Sequence, residues 1–388
     1  MYVIRIKVRK MFDLCIIGGG AAGMAAAVTA KKINKNLSIL LLEKMEKTGK
    51  KILASGNGKC NLSNLSCERY EETEEFFSEL GLLTRNDDAG RVYPYTEESA
   101  AVSGALMMNM KKNEVCCVTG CEVKSVSKDE NFHIMTDKKT YTSRKILIAT
   151  GGKSGPQFGS TGDGYRFAKS FGHTVTKLIP VLTAVETEEN ISAFAGIRAK
   201  GKVSLNFKDK EIFAERGEIQ FTKTGISGIC VFNLSRYLLI PDGCPFKDGF
   251  KDYTIYIDFA PEISDIDAFL QKRSINRNLE GENLLKYIVR DRIADDILYR
   301  ADNDICRAGK LLKNYPLHPQ KVKGWNFAQV TKGGVNLDEV NMETMESKIC
   351  RGLFFAGEVL DFDGPCGGYN LQNAWETGIR AGKGMANG

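Results

Sequence analysis

A glycine-rich segment near the amino terminus restricts the fold of this chain more than any other feature. Gly18-Gly19-Gly20-Ala21-Ala22-Gly23 follows the apolar run 12–17 and precedes the alanine-rich run 25–30. This order predicts a strand, a tight turn and a helix. In such a unit the first glycine permits the turn, the second lets the backbone approach a pyrophosphate, and the third lets helix and strand pack closely. The residues predicted to contact a cofactor here are Gly18, Gly20, Ala21, Ala22 and Gly23.

An acidic residue supports this interpretation. The run 38–42 predicts a second strand, and it ends in Glu43. Glu43 lies about 20 residues beyond Gly23, where a carboxylate accepts hydrogen bonds from an adenosine ribose. The free N–H groups at the helix start face the phosphates, and the helix dipole favours their charge. The pattern therefore predicts a dinucleotide site in preference to an ordinary glycine-rich turn of an α/β protein.

Composition limits the class of protein. The 388 residues allow two or three domains, and 43% hydrophobic with 26% charged residues is typical of a soluble globular chain. The net charge of +6 comes from scattered basic residues, so we predict no nucleic-acid partner. No run of 18 apolar residues occurs, so we predict no membrane partner.

The cysteines indicate a reducing compartment. The chain has 11 of them, an odd number, which favours a cytoplasmic protein over a disulfide framework. Cys116, Cys117 and Cys121 cluster, but no second ligand pair follows at metal-binding spacing, and the chain has only 3 histidines. We therefore predict no metal site.

The first ten residues alternate apolar and basic side chains. They predict a short extra strand or a translational extension ahead of Met11. From residue 11 onward we predict a discontinuous nucleotide-binding domain, residues 11–182 and 325–388. A β-rich insertion at 183–262 and a helical insertion at 263–324 interrupt it.

Three sequence-distant pieces suit one extended cofactor, FAD. The first glycine loop and Glu43 suit its ADP half, and the turn at 149–152 suits the region near the pyrophosphate or adenosine. The segment 357–372 suits the ribityl chain and the ring, where the start of the last helix would stabilise negative charge on the reduced flavin. The residues predicted for the last two pieces are Thr150, Gly151, Gly152, Gly357, Glu358, Asp361, Gly367, Gly368, Tyr369, Asn370 and Leu371.

No second Gly-x-Gly-x-x-Gly loop in a βαβ context follows residue 150. A dedicated nicotinamide-binding domain is therefore not expected. If NAD(P)H reduces the flavin, it binds transiently in the substrate cleft.

The chain resembles the BaiN and YhiN family of flavoproteins, the aminoacetone oxidase family of FAD-binding enzymes. The resemblance extends over nearly the whole chain from Met11. It rests on the segments 18–23, 51–61, 159–164, 217–228 and 357–372. It implies FAD, an α/β Rossmann-like FAD-binding domain, an inserted β-barrel-like domain and a small helical domain. Ile229 departs from the family, which usually has proline there, and the segment 264–312 follows the family only loosely.

The segment 47–64 is rich in glycine, asparagine and serine, which is typical of a loop that wraps a ligand. Cys60 is either a redox thiol or, as we favour, a small structural residue, because no Cys-x-x-Cys partner is present. Asn61 and Asn370 bind the flavin edge or cap helices, and we favour the cofactor role. The residues that complete the predicted cofactor set are Lys44, Lys51, Gly56, Asn57, Cys60, Asn61 and Val123.

No catalytic residue can be assigned from the sequence. His173 and His318 are isolated, and isolated histidines are more often structural. Arg91, Tyr93 and Tyr95 fall on a predicted polar loop from which they could reach a substrate.

The function we expect is an FAD-dependent oxidoreductase that passes hydride through flavin N5. The donor would be a reductant such as NAD(P)H, and the acceptor a small organic substrate such as an activated C=C. The alternative is a flavin-binding redox sensor or interaction protein without turnover, because the same motifs bind cofactor in both cases. An RNA-modifying flavoenzyme is a weaker third hypothesis, since no basic stripe accompanies it.

Overall fold

The computed structural model describes residues 11–239, 250–277 and 281–387. The first ten residues, for which the sequence allowed two interpretations, lie outside the described residues. The chain divides into two compact units. The first ends at Ile179 and resumes at Val330, and the second is Pro180–Gln329.

Helices and strands are numbered along the chain. The strands before the second unit are β1 (Phe12–Ile17), β2 (Ile39–Leu42), β3 (Ser63–Asn64), β4 (Thr84–Asn86), β5 (Arg91–Pro94), β6 (Cys116–Val118), β7 (Val123–Lys128), β8 (Phe132–Thr136) and β9 (Thr140–Ile148). The helices of this part are α1 (Ala21–Ile33), α2 (Lys50–Ala54), α3 (Tyr70–Glu79), α4 (Ser99–Lys112) and α5 (Asp163–Ser170).

The remaining elements follow in the same order. The strands from the junction onward are β10 (Ile179–Val181), β11 (Val185–Thr187), β12 (Arg198–Phe207), β13 (Lys210–Phe221), β14 (Gly225–Ser227), β15 (Tyr253–Asp258), β16 (Tyr315–Leu317), β17 (Pro319–Val322), β18 (Val330–Lys332) and β19 (Leu353–Phe355). The helices are α6 (Ile229–Ser235), α7 (Ile266–Arg277), α8 (Asp291–Arg300), α9 (Ile305–Lys313) and α10 (Tyr369–Asn387).

A mostly parallel sheet forms the centre of the first unit. Its strand order is β6-β2-β1-β9-β8-β7, and β19 also pairs with β9. The strands β1, β2, β6, β9 and β19 are parallel, and the residues of β1, β2, β19 and the end of β9 are almost all apolar and buried, as in sheets covered on both faces. In the register Ile17 pairs with both Leu42 and Ile148. The carboxyl ends of β1, β2 and β9 therefore meet at one edge, where α/β sheets bind ligands.

Helix α10 packs closely on α1. A Cβ at Gly378 would stand 2.5 Å from the carbonyl oxygen of Ala22, and one at Gly382 would stand 2.7 Å from that of Ala26. Trp375, on the same helix, is fully buried, and its indole N–H donates to the carbonyl of Leu62 at 2.9 Å. The carboxyl-terminal helix is thus fixed on the first βαβ unit by backbone-to-backbone contact.

The second unit is an antiparallel sheet with helices. Its strand order is β16-β15-β12-β13-β14-β11-β17. One apolar core contains residues from these strands and from α6, α7, α8 and α9, so the predicted β-rich and helical insertions share a single core. Strands β16 and β17 lie within the segment predicted to be helical. Helix α6 begins at Ile229 itself, the first helical position, where proline and other residues are both accepted.

A small antiparallel sheet, β3-β5-β4, corrects one prediction. Arg91 and Tyr93 lie on strand β5, whereas the sequence placed them on a loop. Val92 and Pro94 are buried and alternate with them. A strand of four residues is too short for its alternation to be recognised in sequence.

Candidate functional site

The turn between β1 and α1 gives each glycine of the first motif a separate role. Gly18 has φ +110°, and a Cβ there would lie 2.3 Å from the carbonyl oxygen of Ala149 at the end of β9. A Cβ at Gly23 would lie 2.0 Å from the carbonyl oxygen of Gly18. At Gly20 the described residues leave 4 Å of open space around the same position. Gly18 and Gly23 are therefore needed for packing, and Gly20 leaves room for a ligand.

This open space lies at the start of α1. Gly20 is the N-cap of the helix, no side chain makes a capping hydrogen bond there, and the first turn carries no acidic residue. The positive end of the helix dipole and the amide N–H groups of the first turn favour an anion there. The site fits the pyrophosphate of a dinucleotide on charge and on space.

Glu43 is held beside this turn by backbone hydrogen bonds. Its Oε2 accepts from the N–H of Gly19 and its Oε1 from the N–H of Met45, both at 2.8 Å. A carboxylate has about four acceptor positions. Two of them orient the group, and the others can accept ribose hydroxyls.

A pocket opens next to Glu43. Among the predicted site residues it contains Gly18, Glu43, Lys44, Val123 and Thr150. Several other lining residues were not among those predicted from the sequence to bind the cofactor. These are Ile17, Leu42, Cys121, Glu122, Gly159, Asp163 and Phe167.

An ion pair closes one side of the pocket. Lys44 Nζ lies 2.7 Å from Asp163 Oδ2 and also donates to the hydroxyl of Thr161. Partial burial alone would raise the pKa of Asp163, but the hydrogen bonds from Lys44 and Thr161 outweigh it and lower that pKa. The segment 159–164, which carried part of the family resemblance, thus contributes to the same pocket as the first βαβ unit.

The turn after β9 packs against a polar network. A Cβ at Gly152 would meet Thr331 Oγ1 at 2.4 Å and Glu358 Oε1 at 2.6 Å. Lys51 Nζ donates to Glu358 Oε2 at 2.6 Å and to the carbonyl of Ser154 at 3.0 Å, while the Thr331 N–H donates to Glu358 Oε1 at 2.8 Å. The predicted residues Lys51, Gly152 and Glu358 are therefore brought together. Thr331 was not predicted, because a single threonine inside a strand of three residues gives no sequence signal.

The loop before β3 and the last glycine loop also meet. Gly368 has φ +104°, and a Cβ there would lie 2.2 Å from the carbonyl oxygen of Ser63. The side-chain amide of Asn61, oriented to satisfy both neighbours, donates to the Ser63 carbonyl at 2.9 Å and accepts from the Gly368 N–H at 3.2 Å. Asn64 Nδ2 donates to the carbonyl of Gly367 at 3.1 Å. The segments 51–61 and 357–372 thus contact each other, and Tyr369, Asn370 and Leu371 form the first turn of α10.

Three of the predicted side chains make internal hydrogen bonds here. Asn370 accepts from the Gly364 N–H at 2.8 Å and donates to the Gly364 carbonyl at 2.9 Å. Asp361 Oδ2 accepts from the hydroxyl of Thr176 at 2.8 Å. Together with Asn61, they shape the loop that precedes α10, and their direct contact with a cofactor stays a prediction.

The 55–60 turn has left-handed backbone. Gly56, Asn57 and Cys60 have φ of +56°, +53° and +56°. Cys60 is buried, and this burial raises the pKa of its thiol to about 11. The thiol is therefore protonated at neutral pH, which suits a small structural residue better than a redox thiol.

His173 lies in a buried hydrogen-bonded group. Its Nε2 is 2.7 Å from the Ser347 hydroxyl and its Nδ1 is 3.1 Å from Glu339. The arrangement resembles a catalytic triad in its order, but the Ser347 oxygen also accepts from the N–H groups of Ile349 and Cys350. This serine is a structural group that closes a turn. His318 pairs with Glu189 at 2.6 Å on the second unit.

We expect His173 to make the protein less stable in mild acid. Burial lowers the pKa of His173 below its ordinary 6.5, although Glu339 opposes the shift. Because the unfolded chain binds this proton more readily, the contribution is full above about pH 6.5 and is lost as the pH falls below it. His173→Asn should cost about 1–3 kcal/mol at pH 8, since Ser347 and Glu339 lose a partner. The same substitution should flatten the decline from pH 7 to pH 5.

Urea denaturation at several pH values measures this effect. The control is His133→Asn, because His133 is partly exposed at 38% of its side chain and its partner is Asp129 at the surface. If the free energy of unfolding of His173→Asn falls as steeply with pH as that of the wild type, other groups cause the decline.

Membrane-spanning helices and metal centres are not found in the described part of the chain. Within residues 11–239, 250–277 and 281–387, no helix is long and apolar enough to cross a membrane. In the same ranges, His, Cys, Asp and Glu side chains form no group that could hold a metal ion.

The fold and the assembled pocket define a Rossmann-type dinucleotide-binding protein. The family model described as "HI0933-like protein Rossmann domain" matches residues 12–74 and 65–384. The chain belongs to this family, which confirms the predicted family, the α/β fold class and the FAD-dependent class of enzyme.

Two curated relatives are similar along nearly their whole length. The chain is 34% identical over 414 residues to a 3-dehydro-bile acid delta(4,6)-reductase of Clostridium scindens, covering 96% of this chain and 98% of that protein. It is 28% identical over 404 residues to a ribosomal RNA dihydrouridine synthase of Escherichia coli, covering 95% and 96%. A solved 3-ketosteroid delta1-dehydrogenase of Sterolibacterium denitrificans is 13% identical with a TM-score of 0.54, covering 97% of this chain and 100% of that one. This last similarity shows the fold alone.

Proposed function

We propose that the protein reduces a carbon–carbon double bond conjugated with a carbonyl in a small organic substrate. Hydride would pass from a nicotinamide reductant to the substrate through FAD. The observation that carries the proposal is the convergence of the segments 51–61, 149–152 and 357–372 on one unit, next to a glycine turn that leaves space at Gly20. The names of both curated relatives describe addition of hydrogen to an unsaturated substrate.

The conjugated carbonyl follows from chemistry. Hydride addition leaves negative charge on the substrate, and a conjugated carbonyl oxygen can take up that charge. We favour a small molecule over RNA because the relative at 34% identity is named for a bile acid and because the basic residues of this chain are scattered. The relatives that are named for ribosomal RNA make a uridine oligonucleotide the proper comparison substrate.

The chain's own residues would hold FAD along the edge of the sheet. The start of α1 at Gly20 would bind the pyrophosphate, Glu43 the adenosine ribose, and the pocket with Val123 the adenine. Bound FAD would supply a ring nitrogen, N5, that accepts and donates hydride.

The polar network around Glu358 would position the flavin half of FAD. Lys51 neutralises Glu358 at 2.6 Å and keeps this carboxylate fixed beside Gly152, where it would face the ribityl chain. The loop 364–368 leads into α10, whose first turn would present its positive end to the ring. Asn61 and Asn370 keep this loop in one shape, so the ring would bind to a surface that is already formed.

A cofactor assay tests this proposal. The purified protein should be yellow, and denaturation should release FAD. In anaerobic stopped flow, NADH or NADPH should bleach the flavin band, and the reduced enzyme should then be reoxidised by a conjugated enone. Protein that binds no FAD would contradict the proposal. If the protein binds FAD but neither a nicotinamide nor an enone changes the flavin spectrum, the result would indicate a redox sensor without turnover.

A further inference from the structure

Strand β5 presents two polar side chains on one face. Val92 and Pro94 are buried, while Arg91 and Tyr93 are half-buried on the opposite face. Arg91 pairs with Asn64 across the sheet, and Tyr93 pairs with Arg85. The face of β5 that carries Arg91 and Tyr93 is therefore fixed by backbone pairing on both sides.

The neighbouring strand joins this face to the last glycine loop. Asn64, on β3, donates to the carbonyl of Gly367, and Gly368 packs on Ser63 of the same strand. Asn64 is also the residue that pairs with Arg91 across the sheet, so this loop lies next to the face that carries Arg91 and Tyr93. Tyr93 thus lies one strand away from the loop that would receive the flavin ring.

Two basic groups, Arg91 and Lys59, act electrostatically on Tyr93, and each is paired with an acid. Arg91 Nε and Nη2 each lie 2.8 Å from Asp87 Oδ2. Lys59 Nζ lies 2.6 Å from Glu97, which also lies 3.3 Å from Arg85. The ion pairs with Asp87 and Glu97 hold the positive charges of Arg91 and Lys59 in place.

The phenol itself is a proton donor. Tyr93 is half-buried, so its hydroxyl can be reached from outside the protein. Burial raises the pKa of Tyr93 above its ordinary 10.0, Asp87 and Cys366 act in the same direction, and Arg91 and Lys59 act against it. The hydroxyl is therefore protonated at neutral pH, and its anion would be stabilised by two nearby cations.

We propose that Tyr93 is the catalytic proton donor of the reduction. The inference rests on the proposed function. The β-carbon of the conjugated double bond would receive hydride, two electrons and one proton, from bound reduced FAD, and the π bond would break. The Tyr93 hydroxyl gives its proton to the α-carbon, and the resulting phenolate recovers a proton from water. Flavin is oxidised, the double bond is reduced, and Arg91 with Lys59 holds the phenolate charge.

Half-reactions of Tyr93→Phe test this role. Reduction of the flavin by NADH or NADPH should proceed as in the wild type, and reoxidation by a 4-ene-3-oxo steroid should slow by about 10²–10⁴-fold. The matched control is Tyr299→Phe, because Tyr299 is 83% exposed and lies on α8 of the second unit. An unchanged reoxidation rate in Tyr93→Phe would overturn the inference and leave the proposed function in place. A wild-type flavin that reacts with no nicotinamide, or with no conjugated enone, would overturn the proposed function, and the inference with it.

A second measurement is independent of turnover. Tyrosine ionisation is followed by ultraviolet absorbance, and the difference between wild type and Tyr93→Phe isolates one phenol. This phenol should ionise above pH 10, and Arg91→Gln should shift its ionisation further upward, because a cation that stabilises the phenolate is lost. An Arg91→Gln variant with unchanged Tyr93 ionisation would overturn the electrostatic part of the inference.

Discussion

Replacing Gly20 by alanine should abolish tight FAD binding while the protein remains folded. No described atom lies within 4 Å of the position that the new Cβ would take, so the fold itself has no clash. The methyl group would instead occupy the space proposed for the pyrophosphate. We expect at least a 100-fold weaker FAD affinity, about 2.7 kcal/mol. Stability without FAD should change by about 1 kcal/mol or less, the usual range for a change at an N-cap.

Gly104→Ala is the matched control for this experiment. Gly104 lies in α4, is exposed, and likewise has no described neighbour within 4 Å of the methyl group that alanine would add. Its substitution should leave FAD affinity unchanged. Affinity is measured by flavin fluorescence during titration of the apoprotein. Wild-type affinity in Gly20→Ala would contradict the assignment of the pyrophosphate to the start of α1.

Gly378→Ala should destabilise the whole first unit, whereas Gly20→Ala should leave the protein folded. The added Cβ would stand 2.5 Å from the carbonyl oxygen and 2.9 Å from the Cα of Ala22. These are backbone atoms of α1, so relief requires the two helices to move apart. We expect a loss of about 2–4 kcal/mol in the free energy of unfolding.

Urea denaturation followed by circular dichroism measures this loss. Gly104→Ala serves again as the control, because alanine in an exposed helix position stabilises by up to about 1 kcal/mol. If Gly104→Ala raises the free energy of unfolding and Gly378→Ala lowers it, the loss in Gly378→Ala comes from packing and not from helix propensity. Equal stability of Gly378→Ala and wild type would show that α1 and α10 do not make the contact described.

The first βαβ unit could be predicted from sequence because its signals are local. Gly18, Gly23 and Glu43 have roles that depend on residues nearby in the chain, apart from the contact of Gly18 with Ala149. The strand before them was predicted with its bounds at Phe12 and Ile17. Gly18 and Gly23 must be glycine for steric reasons. Such a requirement can be recognised in the sequence as a motif.

The rest of the site depends on contacts that link distant segments. Asp163, Phe167 and Cys121 join the pocket only because α5 and the strand β7 region return to the edge near Glu43. Their residue types are ordinary, so only their position gives them a role. The ion pair from Lys44 to Asp163 joins residues 119 positions apart.

The last glycine loop shows another limit. The sequence marks Asn61 and Asn370 as unusual, and both are in the site region. An amide that binds backbone and an amide that binds a ligand use the same hydrogen-bonding chemistry. The pattern therefore could not distinguish these roles, and the structure shows the contacts with Ser63, Gly364 and Gly368.

The oxidative half-reaction tests the central claim most directly. The holoenzyme is reduced anaerobically and mixed with a 4-ene-3-oxo steroid, or with a matched steroid whose double bond is not conjugated. The proposed function predicts that the conjugated compound reoxidises the flavin and gains two hydrogen atoms, while the unconjugated compound does neither. If molecular oxygen reoxidises the flavin but neither steroid nor any other conjugated enone does, the proposed reduction of an activated double bond is wrong.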